Sequence, residues 1–223
     1  MNYWERLNEF RPEMFQAIGD TLIMMGIAMA ASLLVGLPIG TYIFLSRKKG
    51  VAPNKGVYWV LNLYVDIVRS FPFLLFVVAL IPLTRLVMGT AFGTYAAAFP
   101  LSFVGAAIYA RLVEQVLLDV PAEILELAAS LGATRRQLLL EFLFVEARSG
   151  LVLSFTSASI SLVSYSTVMG IVGGGGIGDF AIRYGYQNYE YDIMYTTIVI
   201  MILFVFGIQL LGTTIARRID KRK

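Results

Sequence analysis

The sequence predicts an all-α membrane protein of five transmembrane helices, with a helix–Gly–helix elbow between the third and fourth on one side of the bilayer. Three observations carry that prediction. The 223-residue chain is 58% hydrophobic and 15% charged, where a soluble domain has about 45–50% apolar and about 25% charged residues. Five apolar stretches, residues 21–45, 57–83, 87–110, 150–172 and 193–216, are each long enough to cross about 30 Å of hydrocarbon at about 1.5 Å per residue. One long polar segment, residues 120–149, lies between two of them. The whole chain, residues 1–223, reads as a single transmembrane domain.

What is missing narrows the chemistry. There is no Cys and no His, which excludes a disulfide framework and thiolate chemistry and removes the commonest metal ligand and general base. An enzyme would have to rest on Ser–Lys or carboxylate chemistry. The reading is therefore a non-enzyme, without a metal site. A net charge of +3 in so apolar a chain is explained by membrane topology rather than by nucleic acid.

In chain order, residues 1–20 are amphipathic and carry Glu5, Glu9 and Glu13. A secretory signal needs a basic start and then an apolar core, so this segment reads as an interfacial helix. The first span, 21–45, contains Gly26, Gly36, Pro38 and Gly40, which permit close helix approach or a bend. A short loop, 46–56, follows with Arg47, Lys48, Lys49 and Lys55 and no acid. The second span contains Asp66 and Arg69, whose i, i+3 spacing lets them meet on one helix face. They form either a structural pair or a pair facing a pathway or partner. Pro72 should kink this helix. The third span contains Pro100 and delivers Arg111 and Glu114 to the elbow.

The elbow itself is specified residue by residue. Pro121 suits a first helical turn, where its missing N–H is not needed. Ile124, Leu127, Ala128 and Leu131 then lay one apolar stripe at i, i+3, i+4, i+7. Gly132 stops that helix. Thr134 and Gln137 form the S/T-x-x-Q capping box, so a second helix should run from about Arg135 to Ala147, and Ser149-Gly150 should break the chain before the fourth span.

The fourth span carries Ser154, Ser157, Ser161 and Ser164 at i, i+3, i+7, i+10, one helical stripe, with Ser166 and Thr167 beyond. Two readings stay open. Serines promote helix packing in lipid, or the stripe lines a translocation path that Val168 and Met169 narrow as an apolar gate. Gly173 to Gly176 end this helix and turn the backbone; no Walker pattern accompanies them. Tyr184, Tyr186, Tyr189 and Tyr191 read as anchors at a membrane boundary. The fifth span contains Gln209 and Gly212, and the chain ends in Arg217, Arg218, Lys221, Arg222 and Lys223.

Charge sets the orientation. With the N-terminus outside, the three cytoplasmic segments carry four, four and five Lys or Arg of the 18 in the chain. The remainder are Arg6, Arg11, Arg69, Arg85 and Arg183. An odd number of spans with this bias gives N-out, C-in, with the elbow in the cytoplasm.

Several of these residues also carry a resemblance. Glu126-Leu127-Ala128-Ala129-Ser130-Leu131-Gly132 resembles the E-A-A-x-x-x-G loop of bacterial ABC-importer permeases; Leu127 replaces its first alanine, and Phe144-Val145 and Arg148-Ser149 stand where the family usually has prolines. Arg69-Ser70-Phe71-Pro72-Phe73 resembles the Arg-Ser-x-Pro-Phe signature of amino-acid importer permeases. With the run from Tyr165-Ser166 through the glycines to Tyr184-Gly185-Tyr186, the chain looks most like the permease subunit of methionine importers.

The resemblance implies a permease of the bacterial cytoplasmic (inner) membrane that works as a homodimer with two ABC ATPase subunits. It implies an extracellular or periplasmic substrate-binding protein or lipoprotein, with membrane lipid around the spans and no nucleic acid. ATP and Mg would be held by the partner ATPase and no cofactor by this chain. Glu123, Glu126, Leu127, Ala128, Ala129, Gly132, Ala133 and Thr134 would then seat in the ATPase. Ser157, Ser161, Ser164, Tyr165, Ser166, Thr167, Val168 and Met169 would line the path along a dimer axis, and Asp66, Arg69 and Pro72 would be structural. The expected substrate is methionine, with another amino acid, cystine or a short peptide as the alternative. A channel would leave the elbow without a purpose. A secondary transporter would need an ion-linked acid within a span, for which only Asp66 is a candidate.

Overall fold

The computed structural model describes residues 3–48 and 50–220. Lys49, Lys221, Arg222 and Lys223, all expected to be cytoplasmic, lie outside the described residues, as does the side chain of Trp4. The described residues form eleven α-helices and no strand: α1 (Tyr3–Glu9), α2 (Arg11–Ala31), α3 (Leu37–Ser46), α4 (Lys55–Ser70), α5 (Phe73–Met88), α6 (Thr94–Leu118), α7 (Ala122–Ser130), α8 (Arg135–Gln137), α9 (Phe144–Ile171), α10 (Gly176–Phe180) and α11 (Tyr191–Ile219). Three π-helical turns, Ser32–Gly36, Leu138–Leu143 and Ala181–Gln187, join α2 to α3, α8 to α9 and extend α10.

The first span is part of a longer helix than expected. Arg11–Ser46 runs unbroken for 36 residues, because Pro12 seeds a first turn at residue 11 and the π turn absorbs Pro38 without a break. The interfacial helix expected over residues 1–20 is thus confined to α1, which is tied to the start of α11 by Arg6 and Glu190 at 2.7 Å. That hydrogen-bonded carboxylate raises the Arg6 guanidinium above its ordinary pKa.

The second span is not one kinked helix. α4 and α5 meet at 116°, since Pro72 pushes Phe71 to ψ 132° and itself sits at ψ 126°, both extended. The third begins at Thr94 rather than residue 87 and continues to Leu118, because Gly89 and Gly93 adopt positive φ and turn the chain there. The expected break at Ser149-Gly150 is absent. α9 passes straight through both residues, since neither position 145 nor 149 is a proline and every backbone donor stays available.

Three helices, Arg11–Ser46, Thr94–Leu118 and Tyr191–Ile219, are long and apolar enough to cross a membrane, and a fourth is counted if the bent pair α4 and α5 is one broken span. α6 is the hub, packed against α2, α3, α4, α5 and α9. Its buried surface is built from small residues, Ala97, Ala98, Gly105, Ala107 and Ala110 among them, which lets backbones approach closely. Gly36 and Gly40 of the first helix complete that contact: a Cβ on Gly36 would stand 2.7 Å from the Ala106 carbonyl, and one on Gly40 2.7 Å from the Val113 side chain. Gly40→Leu is therefore expected to destabilise by about 3 kcal/mol or more and to reduce the monodisperse fraction extracted in detergent. Gly26→Ala, where an added Cβ meets nothing within 4 Å, should behave as wild type.

The two ends of the bundle differ in chemistry. At one, the Gly173 carbonyl accepts from Gly93 N–H at 2.9 Å and the Thr21 hydroxyl from Ile177 N–H at 2.8 Å, so the glycine run is seated on the middle of α2 and the start of α6. At the other, Phe44, Val51, Val120, Ala128, Leu138 and Leu143 share one apolar cluster. That cluster brings the basic loop after α3 and the elbow to the same end.

Candidate functional site

The elbow forms as its residues dictate. Gly132, at φ +68°, donates to the Ala129 carbonyl at 3.0 Å and Ala133 N–H to the Ala128 carbonyl at 3.0 Å. This is the Schellman arrangement that satisfies the last carbonyls of a helix and needs a left-handed residue at its turn. Two residues on, the Thr134 hydroxyl accepts from Gln137 N–H while the Gln137 side chain accepts from Thr134 N–H, completing the capping box. Helix stop and helix start are fastened back to back, so the joint is stiff.

The apolar stripe of α7 divides. Ala128 is 1% exposed and packs inward with Leu138 and Leu143, and Ile124 lies against the same cluster. Leu127 and Leu131 point away, 49% and 68% exposed. The single stripe read from the sequence splits in two: residues 124 and 128 stack on one side of the nine-residue helix, and 127 and 131 stack about 60° away. Glu123, Glu126, Ala129, Gly132 and Thr134 are exposed around the two leucines, Ala133 is half-buried, and Arg135 and Arg136 complete a charged rim. Ala128 anchors the elbow to the bundle and does not belong to its outer face. The outer face of the elbow is thus a two-leucine knob on a charged rim, held by a rigid turn.

The serine stripe of α9 also divides. Ser157 and Ser164 are exposed, and Ser161, Tyr165, Thr167 and Val168 are half-buried. Ser164, Thr167 and Val168 line a groove of about 790 Å³ between α9, α10 and α11, whose other wall is apolar apart from Thr197 and Gln209. Ser161 and Tyr165 line a second groove, of about 270 Å³, with Arg69 and Phe73. Ser154, Ser166 and Met169 are buried within the chain. Ser166 and Met169 were expected on the path; Ser166 lies about 200° round the helix from Ser164, donates to the Val163 carbonyl, and Met169 joins the core with Met24 and Leu101.

Asp66 and Arg69 do not pair. Asp66 is taken at 2.7 Å by Arg111, which reaches it from α6 and also bonds Asn62 at 2.9 Å and Glu114. Arg69 makes no ion pair among the described residues. The i, i+3 spacing permits a contact on α4, but the fork of a guanidinium from the facing helix serves two acids and an amide together. Arg111 and Glu114 thus stay in the helix bundle instead of joining the elbow. Glu114 is 7% exposed. The sequence signal for this latch was the i, i+3 Arg111/Glu114 pair itself; what it lacked was the direction of the face.

At the opposite end, Tyr184 is half-buried between Phe10 and Phe180, with ring centroids 5.2 and 5.0 Å away, so it packs the junction of α1 and α2 against α10. Tyr186, Tyr189 and Tyr191 are exposed. No group of three metal-ligating side chains occurs among the described residues.

Comparisons with known proteins bear on the whole chain. Residues 34–223 match the family described as binding-protein-dependent transport system inner membrane component. The probable D-methionine transport system permease protein of Vibrio cholerae is 42% identical over 206 residues, 92% of each chain. The methionine import system permease protein of Bacillus subtilis is 34% identical over 210 residues, 94% of this chain and 95% of its own. Among solved structures, an inward-facing MetNI methionine ABC transporter superposes with a TM-score of 0.92 at 34% identity, covering 96% of this chain and 99% of that one. An amino acid ABC transporter shares the fold with a TM-score of 0.81 at 18% identity.

Proposed function

From the premise that this chain belongs to the family of binding-protein-dependent transport system inner membrane components, we propose that it is the membrane-spanning permease of an ABC importer for methionine. The observation that carries the reading is the likeness, over nearly the full length of both chains, to the permease of a methionine ABC transporter. Two copies of the chain form the path and two ATPase subunits hold ATP and Mg, with no cofactor on this chain. A substrate-binding protein or lipoprotein delivers from outside.

The chain crosses the inner membrane five times, α9 being the fourth crossing: its 28 residues reach about 42 Å at about 1.5 Å per residue. The N-terminus is outside and the C-terminus inside, which places the basic end of the bundle and the elbow with the ATPase. Leu127 and Leu131 seat in a groove of the ATPase, and Glu123, Glu126, Ala129, Gly132, Ala133 and Thr134 surround them. Ala128 ties the seated elbow to the core.

The mechanism is alternating access. When ATP draws the two ATPase subunits together, the elbows move with them, and the paired bundles reopen toward the outside to accept a released substrate; hydrolysis resets the cycle. The stiffness of the Gly132–Thr134 joint matters because a flexible joint would dissipate the displacement. The grooves that hold Ser161, Ser164, Tyr165, Thr167 and Val168, together with the exposed Ser157, supply the candidate path surface.

ATP-driven uptake of labelled methionine into vesicles containing the reconstituted complex tests the substrate. Methionine in excess should suppress the signal, and other amino acids, cystine or dipeptides should not. Suppression by one of those instead of by methionine would overturn the substrate while leaving the family intact.

A further inference from the structure

Arg69 carries a charge that no ion pair answers among the described residues. It is exposed in the last turn of α4, beside the Pro72 break and fourteen residues from Lys55, about 21 Å along the helix at about 1.5 Å per residue, and so within the second crossing. A cation at that depth is costly unless something pairs with it. Its natural intrahelical partner, Asp66, is held by Arg111, and Arg69 has no ion pair of its own among the described residues. It borders a groove of about 270 Å³, room for about nine waters at about 30 Å³ each. That is the scale of one small amino acid.

The geometry points to this groove as a binding site for a free zwitterionic α-amino acid, with the substrate carboxylate held on the Arg69 guanidinium. The remaining walls match the rest of such a molecule. Ser161 donates its hydroxyl hydrogen to the Ser157 carbonyl of its own helix at 3.1 Å, which leaves the oxygen lone pairs as acceptors for an ammonium. Phe71, Phe73 and Tyr165 also line the groove, and the last two rings lie 4.5 Å apart. Their faces and edges suit an apolar side chain, a thioether in particular. Arginine presents a planar fork that takes a carboxylate bidentately. A small inorganic anion would leave the aromatic wall without a partner. The Pro72 break gives all this a cause: by ending α4 just past Arg69 it opens the space between α4, α5, α6 and α9 that an unbroken helix would fill.

The inference rests on the proposed importer function and names the carboxylate-binding residue of that path. It is tested on the purified permease–ATPase complex in lipid nanodiscs without any binding protein, by equilibrium binding of radiolabelled methionine. Wild type should bind saturably, and unlabelled methionine should compete while methioninamide, in which a neutral amide replaces the carboxylate, should compete at least tenfold less well. Arg69→Gln should weaken binding at least tenfold, and Arg69→Lys, which keeps the charge without the fork, should lie between. The Arg69→Gln complex is first shown to co-purify with the ATPase at the wild-type size; where it does not, the amide competition on wild type decides. Equal competition by the amide, wild-type affinity in Arg69→Gln, or no saturable binding to wild type would each overturn the site. Failure of ATP-driven uptake by the complete wild-type system overturns the importer reading instead, so the two failures are separable.

Discussion

Gly132→Pro is expected to reduce ATP-driven uptake at least tenfold while the permease still inserts and the partner ATPase still turns over ATP. Gly132 sits at φ +68°, and the proline ring fixes φ near −65°. Proline also has no N–H to give to the Ala129 carbonyl, a bond of 3.0 Å in the native turn. Both faults fall on the joint between α7 and α8, so the angle at which the elbow meets its partner is lost while the spans are untouched. Ala128→Glu attacks the same element from the inner side: a carboxylate placed where the native side chain is 1% exposed has no partner among Phe44, Leu138 and Leu143 and must force α7 off the bundle. Uptake and ATP hydrolysis measured side by side in proteoliposomes, with expression checked, decide the matter. Normal uptake by both variants would remove the elbow from the transport cycle.

The second large effect is structural. Arg111→Ala removes the group that ties Asp66, Asn62 and Glu114 together. Glu114 is 7% exposed, so its charge would be left buried and unpaired, a fault that costs about 3–5 kcal/mol. The apparent melting temperature of the purified complex should fall by roughly ten degrees. Arg111→Lys should recover only part of that, because a single ammonium cannot fork between acids on two helices. Pairing Arg111→Met with Glu114→Gln should recover more than either alone, since the double change takes away the unpaired charge together with its partner. An unchanged melting temperature in Arg111→Ala would show that the latch between α4 and α6 contributes nothing measurable.

Much of the elbow was legible before any coordinates. The Gly132 stop, the Thr134 and Gln137 capping box and the turn at the glycine run after α9 are local devices, written in residues no more than about five positions apart, and all three formed as read. The faces were less legible. Leu127 and Ala128 are neighbours in one stripe, yet one faces out and the other is buried. Ser164 and Ser166 belong to one polar run, yet only the first opens onto a groove. In lipid the contrast between apolar and polar faces is weak, because a serine that donates to the carbonyl four residues back can face almost any neighbour.

The amino-acid sequence by itself determined that this is a helical membrane protein with a rigid elbow at its basic end, because hydrophobic length, charge bias and capping chemistry act within a few turns of chain. Only the tertiary structure decided that Pro72 splits the second span, that the fourth helix runs through Gly150 without a break, and that Arg111 takes Asp66 away from Arg69. Each of those outcomes depends on what the facing helix offers, and a single helix carries no record of its neighbour.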